Sequence, residues 1–348
     1  MTPAYRRLES QARRVLVLLA ACLLPAQAAF SQANDVTWFY LRNYNPFLQV
    51  NGIAPFQPAR LTAAGNGDFR VSLEIANNAD TDEEPDESVV LDGESYFLTL
   101  AYRHGIADWL ELGLDLPFAS HTGGSLDPAI KNWHSILGIS NTKRNGPTNE
   151  LHFEYSGSAA TDINLRNSTS GLRDILLSAA FPLRRSATTG EANLSLRLTA
   201  KLATGEESEL LGSGADDYSV GIHGDAAWSV HGKTLHVTGF AGLLILGDGG
   251  VLSGIRRDRA AYAGAGAAWP LTERLSVVSQ LHYQQSYYDT NLEELGGKTL
   301  QLAVGGMYRP ARWPLILTFG VVEDIFGDAT PDVVLHAGVR WAASRHQE

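Results

Sequence analysis

A single antiparallel β-barrel that crosses a membrane is the fold this sequence predicts, and three observations predict it. Segments of about ten residues with apolar side chains at every second position recur along the chain, the length a tilted strand needs to cross a bilayer. The spacers between these segments alternate between short and long. Past residue 30 there is no apolar run long enough for a transmembrane helix. A chain that spans must then close its strands into a ring, which satisfies every backbone group.

The last segment is the plainest. Val333, Leu335, Ala337, Val339 and Trp341 share one face, and Val334, His336, Gly338 and Arg340 share the other. An apolar face turned to lipid and a terminal interfacial aromatic suit an outer-membrane strand. The other strands follow in order. Phe69, Val71, Leu73 and Ile75 alternate with Arg70, Ser72 and Glu74, and Tyr96, Leu98, Leu100 and Tyr102 form the next face. Leu110, Leu112, Leu114 and Leu116 oppose Glu111, Gly113 and Asp115. Ile175, Leu177, Ala179 and Phe181 precede Leu194, Leu196, Leu198, Ala200 and Leu202. Tyr218, Val220, Ile222 and Trp228 mark the sixth strand, and a less regular seventh spans 235–246. The eighth, near 260–269, is mostly Ala and Gly, which leaves its inward face undefined. Leu275, Val277, Leu281 and Tyr283 oppose Ser276, Gln280, His282 and Gln284, and segments near 300–309 and 315–322 complete a count of about twelve.

Short connections are expected at 104–108, 184–190, 231–233, 270–272 and 310–313, and long ones at 77–92, 120–170, 204–215, 247–257, 288–297 and 324–331. Short periplasmic turns alternating with long external loops are characteristic of outer-membrane barrels. Tyr96, Tyr102, Trp109, Phe118, Trp228, Trp269, Tyr283, Trp313 and Trp341 sit near strand ends, where interfacial girdles form. A soluble two-sheet protein also alternates, but gives no reason for the loop asymmetry.

Four divisions result: a signal peptide over 1–28, a periplasmic or lumenal segment over 29–66, the barrel over 67–341 and a tail over 342–348. Arg6, Arg7, Arg13 and Arg14 precede a short apolar core at 15–24 and the small-x-small site Ala26-Gln27-Ala28. Leu19-Ala20-Ala21-Cys22 also resembles a lipobox. Removing 1–28, which holds four Arg and one Glu, takes the formal charge from -11 to -14. So acidic a chain is a poor nucleic-acid binder. Cys22 is the only cysteine, so the mature chain has neither a disulfide nor a thiolate. No cofactor or metal motif is read. The expected location is the outer membrane of a Gram-negative bacterium. Its lipid and lipopolysaccharide are the expected partners, together with the barrel-assembly machinery, which reads the strand ending at Trp341.

Several loop motifs resemble the Gram-negative family designated domain of unknown function 3187. They are Asn45-Pro46-Phe47 with Gly52-Ile53-Ala54-Pro55, Asp92-Gly93-Glu94, and Gly124-Ser125-Leu126-Asp127 followed by Trp133-His134. Gly171-Leu172-Arg173-Asp174, Glu323-Asp324 and Pro331-Asp332 continue the series. Arg173 stands where the pattern has glycine, and Gly138-Ile139-Ser140 departs from a Gly-Leu-Pro. The resemblance implies an exported proteobacterial protein and carries no activity. Lys201-Leu202-Ala203-Thr204-Gly205 is similar to a strand-end motif of barrels associated with aromatic-compound degradation.

The candidate lumen-lining residues are Arg70, Glu74, Glu111, Asp115, Asp174, Arg197, Lys201, His223, Asp225, Gln280, His282, Gln301, His336 and Arg340. Rings of charge of both signs suit a passive or gated pore for small solutes. They equally suit a closed structural or adhesive barrel knitted by salt bridges, and twelve strands fall between filled and open barrels. In the longest loop, Asp127 caps a helix with Pro128 at its first position, and Ile130, Trp133, His134 and Leu137 share a face, a candidate constriction. The third class is a lipid-modifying or hydrolytic enzyme, which needs a hydroxyl, a His and an acid together at the external rim. The acidic run at 80–87 reads as a solvated or cation-gripping loop, and Arg256, Arg257 and Arg259 as contacts for lipopolysaccharide phosphates.

Overall fold

Residues 36–125, 149–186 and 190–341 are described by a computed structural model. Fifteen strands form one sheet: β1 (Gly67–Glu84), β2 (Glu87–Ala107), β3 (Leu110–Thr122), β4 (His152–Gly157), β5 (Ile163–Leu165), β6 (Thr169–Leu172), β7 (Ile175–Arg184), β8 (Asn193–Leu202), β9 (Asp217–Val230), β10 (Lys233–Ile245), β11 (Arg259–Pro270), β12 (Leu275–Gln284), β13 (Thr299–Tyr308), β14 (Leu315–Phe326) and β15 (Val333–Trp341). Twelve of them, β1 to β3 and β7 to β15, pair antiparallel in chain order. The ring closes where β1 meets β15, from Phe69 opposite Trp341 to Asn77 opposite Val333. Closure leaves no second layer to cover an apolar face, so the soluble two-sheet alternative is excluded.

The period-2 pattern sorts the side chains. Leu73, Leu98, Ile222, Leu243, Val304 and Phe319 point outward and are exposed, while Ser72, Glu74, Phe97, Thr99, His223, Leu244 and Ala303 on the other face are buried. Leu73 keeps 39 % of its surface accessible and the adjacent Glu74 keeps 1 %. Apolar outside and polar inside is the arrangement a hydrocarbon solvent selects. At one end the turns are tight. His231-Gly232 both adopt left-handed backbone (φ 49° and 75°), the pairing that matches strand twist in a two-residue hairpin.

The other end departs from expectation. The predicted long loop at 77–92 is instead a continuous ladder, from Asn77 opposite Glu94 to Glu84 opposite Glu87, turning at Pro85-Asp86. This hairpin projects above the ring and carries β4 and β5 on its flank. Its branch point is Gly93 (φ 148°), where an added Cβ would meet Leu151 and the Thr122 carbonyl. Neither the fully solvated loop nor the cation grip is what the acidic run forms. Asp80 is buried, Asp82 accepts a hydrogen bond from the Glu293 N–H (2.6 Å), and Glu87 accepts from Thr290 and Tyr155. The carboxylates tie the hairpin to the 285–298 connection.

An outward position should tolerate no charge. Val304→Arg, at the centre of β13, is expected to lower stability by about 2–4 kcal/mol in lipid vesicles, the cost of a cation at the bilayer midplane. Denaturant unfolding followed by intrinsic fluorescence measures it.

Candidate functional site: a plug seated in the lumen

Residues 36–66 run up the inside of the ring, turn, and return before entering β1. From Val36 to Ala59 nearly every residue is buried. On the ascending leg the Phe39 N–H donates to Gln280 Oε1 (2.6 Å) and its carbonyl accepts from Gln280 Nε2 (3.3 Å). The inward glutamine thus meets the plug backbone as a strand neighbour would. Tyr40 donates to Asp115 (3.0 Å), which also receives Arg103.

The turn at 44–51 is built by its own asparagines. Asn45 Oδ1 accepts from the Phe47 N–H (3.0 Å), an Asx turn, and the Asn45 carbonyl accepts from the Leu48 and Gln49 amides. Phe47, Leu48 and Val50 join Phe97, Phe153, Leu210, Leu252, Tyr287 and Leu295 in an apolar cap at the outer end. Tyr288 donates to the Phe47 carbonyl (2.7 Å).

Gly52 begins the descent. Its N–H donates to Asp217 Oδ2 (2.9 Å), and an added Cβ would lie 2.7 Å from Asp217 Cβ and 2.9 Å from Lys201 Cβ. The plug is seated closely here. Lys201 Nζ reaches Asp174 (2.7 Å), Asp217 (3.1 Å), the Val50 carbonyl (3.1 Å) and Ser213, while Arg256 pairs with Asp217 (2.8 Å). Lower down, Arg197 binds the Pro58 carbonyl, Gln57 Oε1 (2.7 Å) and Glu111 (2.8 Å). His223 Nδ1 faces the Gln57 carbonyl at 3.0 Å, so that nitrogen carries the proton. Asp225 accepts from the Arg60 N–H and Glu111 from the Thr62 N–H (2.6 Å). Phe56 stands edge-on to Phe240 (5.0 Å).

The undefined inward face of β11 now has a cause. A Cβ on Gly266 would strike the rings of Trp38 (2.8 Å) and Phe56 (3.0 Å). The strand is small inside because aromatic side chains of the plug occupy the space. A cavity of about 40 Å³ remains near the tight-turn end, lined in part by Tyr40, Gln57, Arg103, Glu111 and Arg197.

Every lumen-lining candidate lies on the inner wall or at its rim. Arg70 and Arg340 share Asp68; Glu74, Glu111, Asp115, Asp174, Arg197, Lys201, His223, Asp225 and Gln280 hold the partners named above or below. His282 and Gln301 face each other across β12 and β13. These groups line an occupied interior, not an open path. Asp127, Ile130, Trp133, His134 and Leu137, the constriction candidates, lie outside the described residues. Arg256 is turned inward to Asp217 and Arg257 pairs with Asp289, so neither is a free phosphate contact; Arg259 is exposed at the start of β11.

Asp68, Arg103, Asp217 and Arg173 on the wall, and Arg42 on the plug, were not among the expected site residues. Register holds the signal for three: Arg103 continues the Phe97-Thr99-Ala101 face, Asp217 lies two residues before Ser219, and Asp68 two before Arg70. A hydroxyl–imidazole–carboxylate chain does exist. Thr318 Oγ1 lies 2.9 Å from His336 Nε2, and Nδ1 lies 2.9 Å from Glu74 Oε1. It sits at mid-barrel under the Phe39 ring (5.0 Å), not at the external rim where a hydrolase needs it.

Lys201 is the keystone of the outer seat. Lys201→Met should cost about 3–5 kcal/mol, because two buried carboxylates lose their shared cation. Double substitution of Lys201→Met with Asp174→Leu is expected to recover part of that loss in denaturant titrations.

A search of curated proteins gives no sequence match. Among solved structures, an outer membrane channel from Pseudomonas putida F1 aligns with a TM-score of 0.50 at 12 % identity, over 83 % of this chain and 99 % of that one. The NanC porin aligns at 0.44 and 8 % identity, over 79 % and 98 %. At 12 % identity the likeness to the Pseudomonas putida channel shows a shared barrel fold alone. The family model described as protein of unknown function (DUF3187) matches residues 14–342. With the ring, its outward apolar band and this match in hand, the chain belongs to the DUF3187 family and has the fold of outer-membrane β-barrels.

Proposed function

We propose that the protein is a gated pore for small solutes in the Gram-negative outer membrane, reached after cleavage near Ala28. Residues 36–66 are the gate. The observation that carries this reading is the nature of the seat. Much of the inner wall is polar, from Glu74, Asp115 and Arg197 round to Gln280, Gln301 and His336, as a wet lumen requires, yet it holds a strap of the chain's own backbone. Below the apolar cap the polar wall groups hold the plug by hydrogen bonds to its carbonyls and amides. Water replaces such contacts at small net cost, because each contributes only about 0.5–1.5 kcal/mol. A purely structural filling would gain more from apolar side chains. A cleft of about 440 Å³ beside 59–63, at the tight-turn mouth, gives the descending leg room to shift. On this reading β15, ending at Trp341, is the strand the assembly machinery recognises, and lipid and lipopolysaccharide surround the ring.

Planar-bilayer recording tests it with the full-length chain and two variants that strike the plug at separate heights, Gly52→Leu and Gly266→Leu. The native protein should open rarely and briefly, and both variants should conduct steadily. Silence from all three, each verified as folded by heat-modifiable gel mobility, would overturn the pore and favour the closed structural barrel. Lipid hydrolysis by the silent protein would favour the enzyme.

A further inference from the structure

Two buried cations of the lumen form no ion pair among the described residues. Arg197, Lys201 and Arg340, buried on the inner wall, each face a carboxylate. Arg42, on the plug, and Arg173, in the connection between β6 and β7, are 2 % and 3 % exposed and have no carboxylate partner among the described residues. Their hydrogen bonds go to carbonyls of one plug turn: Arg42 Nη2 to Asn51 (2.6 Å) and Arg173 Nη2 to Gln49 (2.5 Å). The Nε of each has no hydrogen-bond partner among the described residues. Arg173 lies over the Phe97 ring at 5.0 Å, which fixes the plane of its guanidinium. Burial pulls Arg173 down to about 10, with Arg42 adding to the effect, and it remains charged at neutral pH. Asp174, its chain neighbour, is engaged by Lys201 and by the Thr204, Gly205 and Ser213 amides.

Burying a cation without a counter-charge is costly, and here the cost falls on the plugged state alone. When the turn leaves, Gln49 leaves with it. Arg173 then stands free on the wall, with a planar fork suited to a carboxylate. From this geometry, and resting on the pore reading above, we infer that the solutes are small carboxylate anions and that Arg173 is their binding group in the open lumen. Arg42 moves with the plug and favours its departure when an anion approaches.

Reversal potentials across a potassium chloride gradient test this on full-length Gly52→Leu in planar bilayers, with malonate as the carboxylate probe. The expected result is a preference for chloride over potassium, partial block by malonate, and loss of both on adding Arg173→Gln. Arg173→Glu should invert the preference. Steady conductance without an anion preference, or with one that Arg173→Gln leaves unchanged, would overturn the inference and leave the pore standing. Absence of conductance in Gly52→Leu and Gly266→Leu alike would overturn both.

Discussion

The interior of a closed twelve-strand ring has to be satisfied by something. Its inward faces carry Arg, Lys, Asp, Glu, His and Gln, and side chains from opposite walls of so wide a barrel do not fill it as they fill an eight-strand one. In this protein the partner is the chain's own N-terminal segment. Gln280, Arg197 and Lys201 all bond to plug backbone, and Asp217, Asp225 and Glu111 accept its amides. Filling and sealing are one event.

The same constraint explains why the interior is layered. At the outer end, where the loops meet, the plug tip is apolar and joins Phe153, Leu252 and Tyr287 in a core like that of a soluble domain. Below it charged and amide contacts are interleaved with apolar ones, since Phe56 packs against both Trp38 and Phe240. An apolar column through the whole lumen would hold more firmly but would leave the wall charges unpartnered, a penalty far above the gain. A polar seat holds the segment in register while leaving water able to take its place. Gly52 and Gly266 show how close the fit is, since each would clash on gaining a single carbon.

The motifs that carry the family likeness lie at this seat more than at the rim. Asn45-Pro46-Phe47 forms the plug turn, and Gly52 docks against β8 and β9. Gly93 marks where β2 exchanges β3 for β4. Arg173-Asp174 grips the turn through Gln49 and supports Lys201. As tetrapeptides they read as loop punctuation. In three dimensions they are one assembly in which a tight turn is received by charged groups.

Alternation of side-chain type determined the ring. Hydrocarbon outside and polar groups inside leave a period-2 trace in any strand long enough to cross, and Leu110 to Leu116 or Val333 to Trp341 display it without help from neighbours. Where that trace was weak, in β11, the cause was non-local: Trp38 and Phe56, more than two hundred residues away, dictate glycine there. Register likewise reaches Asp217 and Arg103 only once the strand ends are placed. The 77–92 hairpin escaped because its polar faces follow contacts with β4 and the 285–298 connection, not lipid. That Arg256 turns inward, and that residues 36–59 occupy the lumen instead of lying beneath it, depended on tertiary structure alone. Neither carries a local periodicity, because an irregular strap takes its conformation from the wall it fills.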